Sequence, residues 1–302
     1  MLMSRICLMN LLAGFLLFAG GLITCPAFAQ VDLSGGWRQP MHEDVPAGQE
    51  IGDYAGMPIN DEARARADTW DAQTWEMIEH ECEPHPADYA PRGPASMRIY
   101  SDIRQLDQQV VAWHMQLLWM LPQRTIYMDG RPHPSEYAAH TWQGFSTGEW
   151  VADMLKVTTT HMKEGWLRRD GLPRSSKATM TEFFIRHGSY FTLAAIVDDP
   201  IYMTESFIRT SNWIAGTAVS FAPMNCIPSN EVSHPKGFVA HHLPGTNPWL
   251  TEFASKYEIP VEATRGGAET MYPEYLLKIA KMPAPPHVEG LDRFKSPVLT
   301  SR

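Results

Sequence analysis

Three stretches decide the fold: RTIYMDGRPHP at Arg124–Pro134, HTWQGFSTGEWVADMLKVTTTH at His140–His161, and ATMTEFFIRHGSYFTLAAIVDDP at Ala178–Pro200. Apolar residues alternate through each of them, and Gly, Asp and Pro interrupt at regular intervals. Short, evenly spaced strands of this kind predict an all-β sandwich or barrel. Thr179–Arg186 and Tyr190–Asp198 form the clearest hairpin, with Gly188 supplying the positive φ that a tight turn needs.

Working outward, Gln109–Leu121 reads as a long strand. Val111, Trp113, Met115, Leu117 and Trp119 share one face, and Val110, Ala112, His114, Gln116 and Leu118 the other. The first face is core; the second is mixed and faces water or a partly polar cavity. Further strands are expected at Asp32–Trp37, Met97–Tyr100, Arg124–Asp129, near Trp142, at Leu155–Thr160 and at Phe207–Trp213. Asn60 or Asp61 caps a helix predicted to run to about Met77. Glu79–Pro94 is a Pro-rich loop. Beyond Pro223 the alternation stops, and Pro248–Lys256 and Met271–Lys281 are candidate short helices in a C-terminal wrap over the β-body. The expected architecture is an antiparallel, up-and-down, calycin-like β-barrel with short helices at both ends, since closure removes exposed sheet edges and can hold one small ligand. A β-sandwich is the alternative.

Residues 1–29 read as an export signal: Arg5, an apolar run from Leu11 to Ile23, and a small-x-small site at Ala27–Ala29, so that the mature chain begins at Gln30. The run is short for a membrane span, and a periplasmic or secreted location follows. Residues 30–302 are then one domain. Removing Arg5 takes the formal charge from −9 to −10. An acidic chain without a basic block is a poor nucleic-acid binder. Of the four cysteines, Cys82 and Cys226 stay in the mature chain, and in an oxidising compartment a disulfide is the first reading. The rival is a soft-metal site at His80, Cys82 and His85, which lacks a clear fourth ligand.

The segment Tyr127–Asp199 resembles a family of exported bacterial proteins with no assigned activity. The likeness rests on Asp129-Gly130-Arg131-Pro132-His133-Pro134, on the Trp142–Trp150 hairpin, on the Thr-rich strand Val157–Thr160 and on Asp198-Asp199-Pro200. Val151-Ala152 departs from the Glu-Gly expected before Asp153. The resemblance implies export and a β-rich fold, and carries no activity. A looser likeness to lipocalin-type barrels is one of architecture alone.

No phosphate loop, zinc helix or dinucleotide-binding fingerprint is present, so no cofactor is expected. Gly144–Gly148 matches the letters of a nucleophile elbow around Ser146, but it lies in a hairpin and not at a strand-to-helix turn. Histidine is in excess, with twelve in the chain, and imidazole is the usual proton carrier near neutral pH. The candidate catalytic set is His114, Asp129, His133 and Glu182, with Tyr127, Arg131, His140 and Trp142 to bind substrate. Glu182 shares a strand face with Met180, Phe184 and Arg186. If that face lines the lumen, Glu182 is desolvated as an acid or base needs; if it faces out, it pairs with Arg186. The loop Asp129–His140 is expected to lid a cavity beside the strands that carry His114 and Glu182. Ten Trp, ten Tyr, twelve Phe and seventeen Met suit an apolar pocket or simply a large core. These residues point to an enzyme doing proton-transfer chemistry on a hydrophobic small molecule: a lyase or hydratase, an isomerase or a cyclase. The alternatives are a periplasmic carrier for such a ligand and an envelope interaction protein.

Overall fold

Alternation along the chain becomes a closed wall of nine strands in the computed structural model, which describes residues 31–40, 51–93, 95–117, 123–216, 226–229 and 232–286. The export-signal segment and Leu118–Leu121, including Trp119, lie outside the described residues. The strands are β1 Gly35–Arg38, β2 Met97–Ile103, β3 Val110–Leu117, β4 Arg124–Tyr127, β5 Phe145–Val151, β6 Met154–Thr160, β7 Gly165–Trp166, β8 Pro173–Arg174, β9 Thr179–His187, β10 Tyr190–Asp198 and β11 Phe207–Ala215. Around the barrel the order is β1-β11-β10-β9-β6-β5-β4-β3-β2, and β7 and β8 form a separate two-stranded ribbon.

Pairing is antiparallel at every seam but one. β4 and β5 run parallel, with Ile126 opposite Ser146 and Tyr127 opposite Thr147. The simple up-and-down expectation fails there because residues 128–144 carry the chain back to the end it left, as a parallel neighbour requires. β1 closes the wall by pairing with both β2 and β11.

Side chains fill the lumen. Trp37, Trp113, Trp213, Phe184 and Phe191 are all buried. Phe191 sits 5.3 Å from Trp37, 5.5 Å from Phe184 and 5.9 Å from Trp213 by ring centroids. Two of the buried indoles keep hydrogen bonds, Trp37 Nε1 donating to Leu33 O at 3.1 Å and Trp213 Nε1 to Ala95 O at 2.9 Å, while Trp113 Nε1 finds no acceptor among the described residues. The predicted core face of β3 is buried at Trp113, Met115 and Leu117.

A second apolar cluster lies where the N-terminal segment meets the barrel, joining Tyr54, Ile59, Ala63 and Ala67 to Leu167, Met180 and Val197. Helix α1 covers only Asp61–Asp68, capped by Asn60 Oδ1, which accepts from Ala63 N at 3.0 Å. The expected run to Met77 breaks because Trp70 leaves the helix to bridge His241, after which Asp71 caps a 3-10 turn over Ala72–Glu76. A second 3-10 turn, Ala87–Arg92, stands in the Pro-rich loop. The C-terminal helices are α2 Glu252–Tyr257, α3 Val261–Thr264 and α4 Pro273–Ile279. The backbone of their segment bonds to the N-terminal segment: Tyr54 N donates to Thr264 O at 2.7 Å and His242 N to Thr69 O at 2.9 Å. Cys82 and Cys226 are joined in a disulfide, S–S 2.06 Å, which takes the Cys82 sulfur away from any metal.

Candidate functional site

Two polar clusters sit on opposite faces of one stretch of barrel wall. On the inner face, Arg124 and Glu182 form an ion pair that is 2% and 0% exposed. Arg124 Nε donates to Ser146 Oγ at 3.0 Å, Nη1 to Glu182 Oε1 at 3.1 Å, and Nη2 to Thr159 Oγ1 at 2.5 Å and to Glu182 Oε2. Ser146 and Thr159 share a further hydrogen bond of 2.9 Å. Glu182 therefore faces the lumen and pairs with Arg124 from β4, not with Arg186. Ser146 sits mid-strand, fully occupied, with no elbow around it.

His114 lies on the outer face, opposite Thr125 in register, while Met115 pairs with Arg124. The expectation that His114 and Glu182 converge on one cavity is overturned, because the two-residue period of the strands puts them on opposite sides of the wall. His114 Nε2 lies 2.7 Å from Asp102 Oδ2. Its Nδ1 lies 3.1 Å from Thr125 Oγ1 and 3.0 Å from Gln123 Nε2. Asp102 accepts, so Nε2 carries the proton, and Nδ1 is left to accept from the hydroxyl and the amide. Tyr100 stacks on the imidazole at 4.9 Å and donates through its hydroxyl to Gln123 Oε1.

Thr125 opens onto a groove organised around Trp142. One arm, open and about 490 Å³, is lined by Gln123, Thr125, Tyr127, Gln143 and Phe145 with Trp142 and Pro84. A second, about 210 Å³ and the most enclosed, runs under the Pro-rich loop between Trp75, Trp142 and Trp166. The third, about 450 Å³, shares Trp142 and Trp166 and reaches Trp70 and His241. Trp70, Trp75 and Trp166 pack mutually at 4.9 to 5.6 Å. Gly171, at φ +87°, lets Trp70 in; a Cβ there would lie 2.3 Å from the indole. His80 and Glu83 line both inner arms as a pair, Nδ1 to Oε2 3.1 Å.

The other predicted residues are spread along this side of the barrel. Tyr127 and Trp142 line the open arm together. Arg131 covers the Tyr127 ring at 3.8 Å and grips Asp129 with Nε and Nη2. Those hydrogen bonds hold the Asp129 carboxyl below its usual range. His133 bridges β5 and β6, with Nε2 2.9 Å from Thr147 Oγ1 and Nδ1 2.8 Å from Thr160 Oγ1. Burial, and then the neighbouring His161, lower its pKa. His140 Nδ1 donates to Met162 O at 3.0 Å. His161 Nε2 donates to Ser135 O at 2.8 Å. These histidines pin residues 128–144 to the barrel edge.

Asp102, Gln123 and Thr125 escaped the sequence reading because β2 extends past Tyr100 to Ile103, and only its register against β3 sets Asp102 diagonally beside His114. The tryptophan excess was the one signal for the inner arms. No family model, curated protein or solved structure matches the chain.

Proposed function

We propose that the protein is an enzyme that moves a proton on a hydrophobic small molecule held in the Trp142 groove, by isomerisation, hydration or dehydration, or cyclisation. The observation that carries this reading is the Asp102–His114–Thr125 chain, whose hydroxyl end lines the groove. Thr125 Oγ takes the substrate proton as its own passes to His114 Nδ1. Asp102, hydrogen-bonded through Nε2, stabilises the imidazolium that forms. Tyr127, Phe145 and Trp142 offer apolar faces to the substrate, and Gln143 a polar edge. Glu182 and Asp129 take no part; each is matched to an arginine.

A carrier without turnover is the second reading, favoured by the four tryptophans that line the inner arms. Deuterium exchange separates the two. Wild-type protein incubated in D2O with a panel of cyclic ketones and enones should catalyse deuterium incorporation, read by mass spectrometry. His114→Gln and Thr125→Val should each lose about a hundredfold or more in rate at an unchanged melting temperature. Exchange that survives both substitutions would remove His114 from the chemistry. Binding of the panel with no exchange would leave the carrier.

A further inference from the structure

We propose that residues 130–140 form an acid-released strap, seated across the outer face of β5 and β6 by three imidazoles and let go when those imidazoles take up protons. The inference goes beyond the groove chemistry and stands whether or not the groove turns over a substrate.

Among the described residues, every hydrogen bond that ties 130–140 to β5, β6 or residues 161–163 passes through an imidazole. The bonds also run in one direction. The Ser135 carbonyl can only accept, so His161 Nε2 carries a proton and Nδ1 does not. Thr160 Oγ1, 2.7 Å away, therefore gives its single proton to His161 Nδ1. It then accepts from His133 Nδ1 at 2.8 Å, and His133 Nε2 is left to accept from Thr147 Oγ1 at 2.9 Å. Both rings are neutral in this chain. His161 is held in it at φ +58°, a left-handed backbone that residues other than glycine seldom adopt.

Acid undoes that order. A proton on His161 makes Nδ1 a donor, and the Thr160 hydroxyl must turn away from it. A proton on His133 makes Nε2 a donor, and the Thr147 hydroxyl must turn likewise. The two cations then face one hydroxyl oxygen, with the His140 ring 5.2 Å from that of His161 to add a third charge. Among the described residues the histidines that pair with a carboxylate are His80, His114 and His242, none of these three. The charged groups nearby are engaged or in water: Asp129 is taken by Arg131, Glu149 by Lys156 further along the same face, Lys163 lies over Trp142, and Glu136 is exposed. Burial, and then His161, hold the His133 pKa down. The released strap thus binds a proton more readily than the seated one, and falling pH favours release. Release bares the open arm, because His133 packs edge-on against Phe145 at 5.3 Å and Arg131 covers Tyr127, two of its aromatic walls.

Limited digestion of the full chain with a glutamyl endopeptidase tests this, with cleavage after Glu136 followed by mass spectrometry. Each rate is divided by that of the free peptide 130–140 at the same pH. Between about pH 7.5 and about pH 5 the normalised rate should rise about tenfold or more, as one imidazole that binds protons unequally in the two states allows. Glu182, buried in β9, should stay uncut. That wild-type comparison decides without a variant. The double variant His133→Gln with His161→Gln should show one normalised rate at both pH values. An unchanged wild-type rate would overturn the strap, as would a rise that survives in the double variant. Cuts at Glu136 and Glu182 that rise together would mean acid unfolding of the whole barrel, and would overturn it too.

Discussion

Two of the buried arginines, Arg124 and Arg168, make opposite use of their surroundings. Arg124, inside the barrel, engages all three guanidinium nitrogens with Ser146, Thr159 and both oxygens of Glu182. Arg168, at the tip of the β7–β8 ribbon, has two carboxylates near one nitrogen and no acceptor for Nε. The same residue type at nearly the same burial has a complete set of partners in one place and an incomplete one in the other. Burial of charge alone thus does not mark a functional site; the completeness of the partner set differs from one buried charge to the next.

The barrel pair gives the largest expected effect. Glu182→Leu leaves a guanidinium buried without its counter-charge and should cost about 3–5 kcal/mol of unfolding free energy, measured by urea denaturation. The double variant Arg124→Met with Glu182→Leu should recover much of that loss, because paired apolar replacements remove the uncompensated charge. If the double variant were as unstable as the single one, the network would matter through its geometry and not through charge matching.

The Arg168 side should show itself in pH. Burial raises the Asp170 pKa from its ordinary value to about 6, the Arg168 charge opposing and the Asp53 charge adding. The folded state then holds a proton that the unfolded chain has lost between about pH 4 and pH 6, so stability falls as pH rises through that window. A displacement of this size corresponds to at most about 3 kcal/mol. The unfolding free energy of the wild type relative to Asp170→Asn should therefore decline from pH 4 to pH 7. A flat difference across that range would mean that Arg168 neutralises Asp170 as completely as Arg124 does Glu182.

The smallest effect belongs to the exposed pair. Asp129 and Arg131 are hydrogen-bonded as closely as the buried pairs, but in water, and such pairs contribute little. Asp129→Asn should leave the melting temperature within error of wild type and shift no rate in the D2O assay. A clear loss in either would give the loop a role that its hydrogen bonds do not explain.

Alternation by itself determined the β architecture. The hairpin Thr179–Asp198, the core face of β3 and the C-terminal change of texture were all legible, because a strand's burial pattern follows from its two-residue period. Cys82 and Cys226 were readable as partners from their number and expected compartment alone. His114, Tyr127 and Trp142 could be named as candidates because their chemistry is carried by residue type.

What only the tertiary structure decided is which groups meet. The register of β2 against β3 sets Asp102 beside His114. The parallel seam of β4 and β5 puts Arg124 against Ser146, and the β6–β9 pairing completes that cluster with Thr159 and Glu182. The break in the helix at Trp70 lets residues distant in sequence build the tryptophan cluster. A period tells each residue its face, but not its neighbour across the sheet. The neighbour depends on strand order and loop path, which are settled by packing over the whole barrel, and so the chemistry of the groove belongs to the fold.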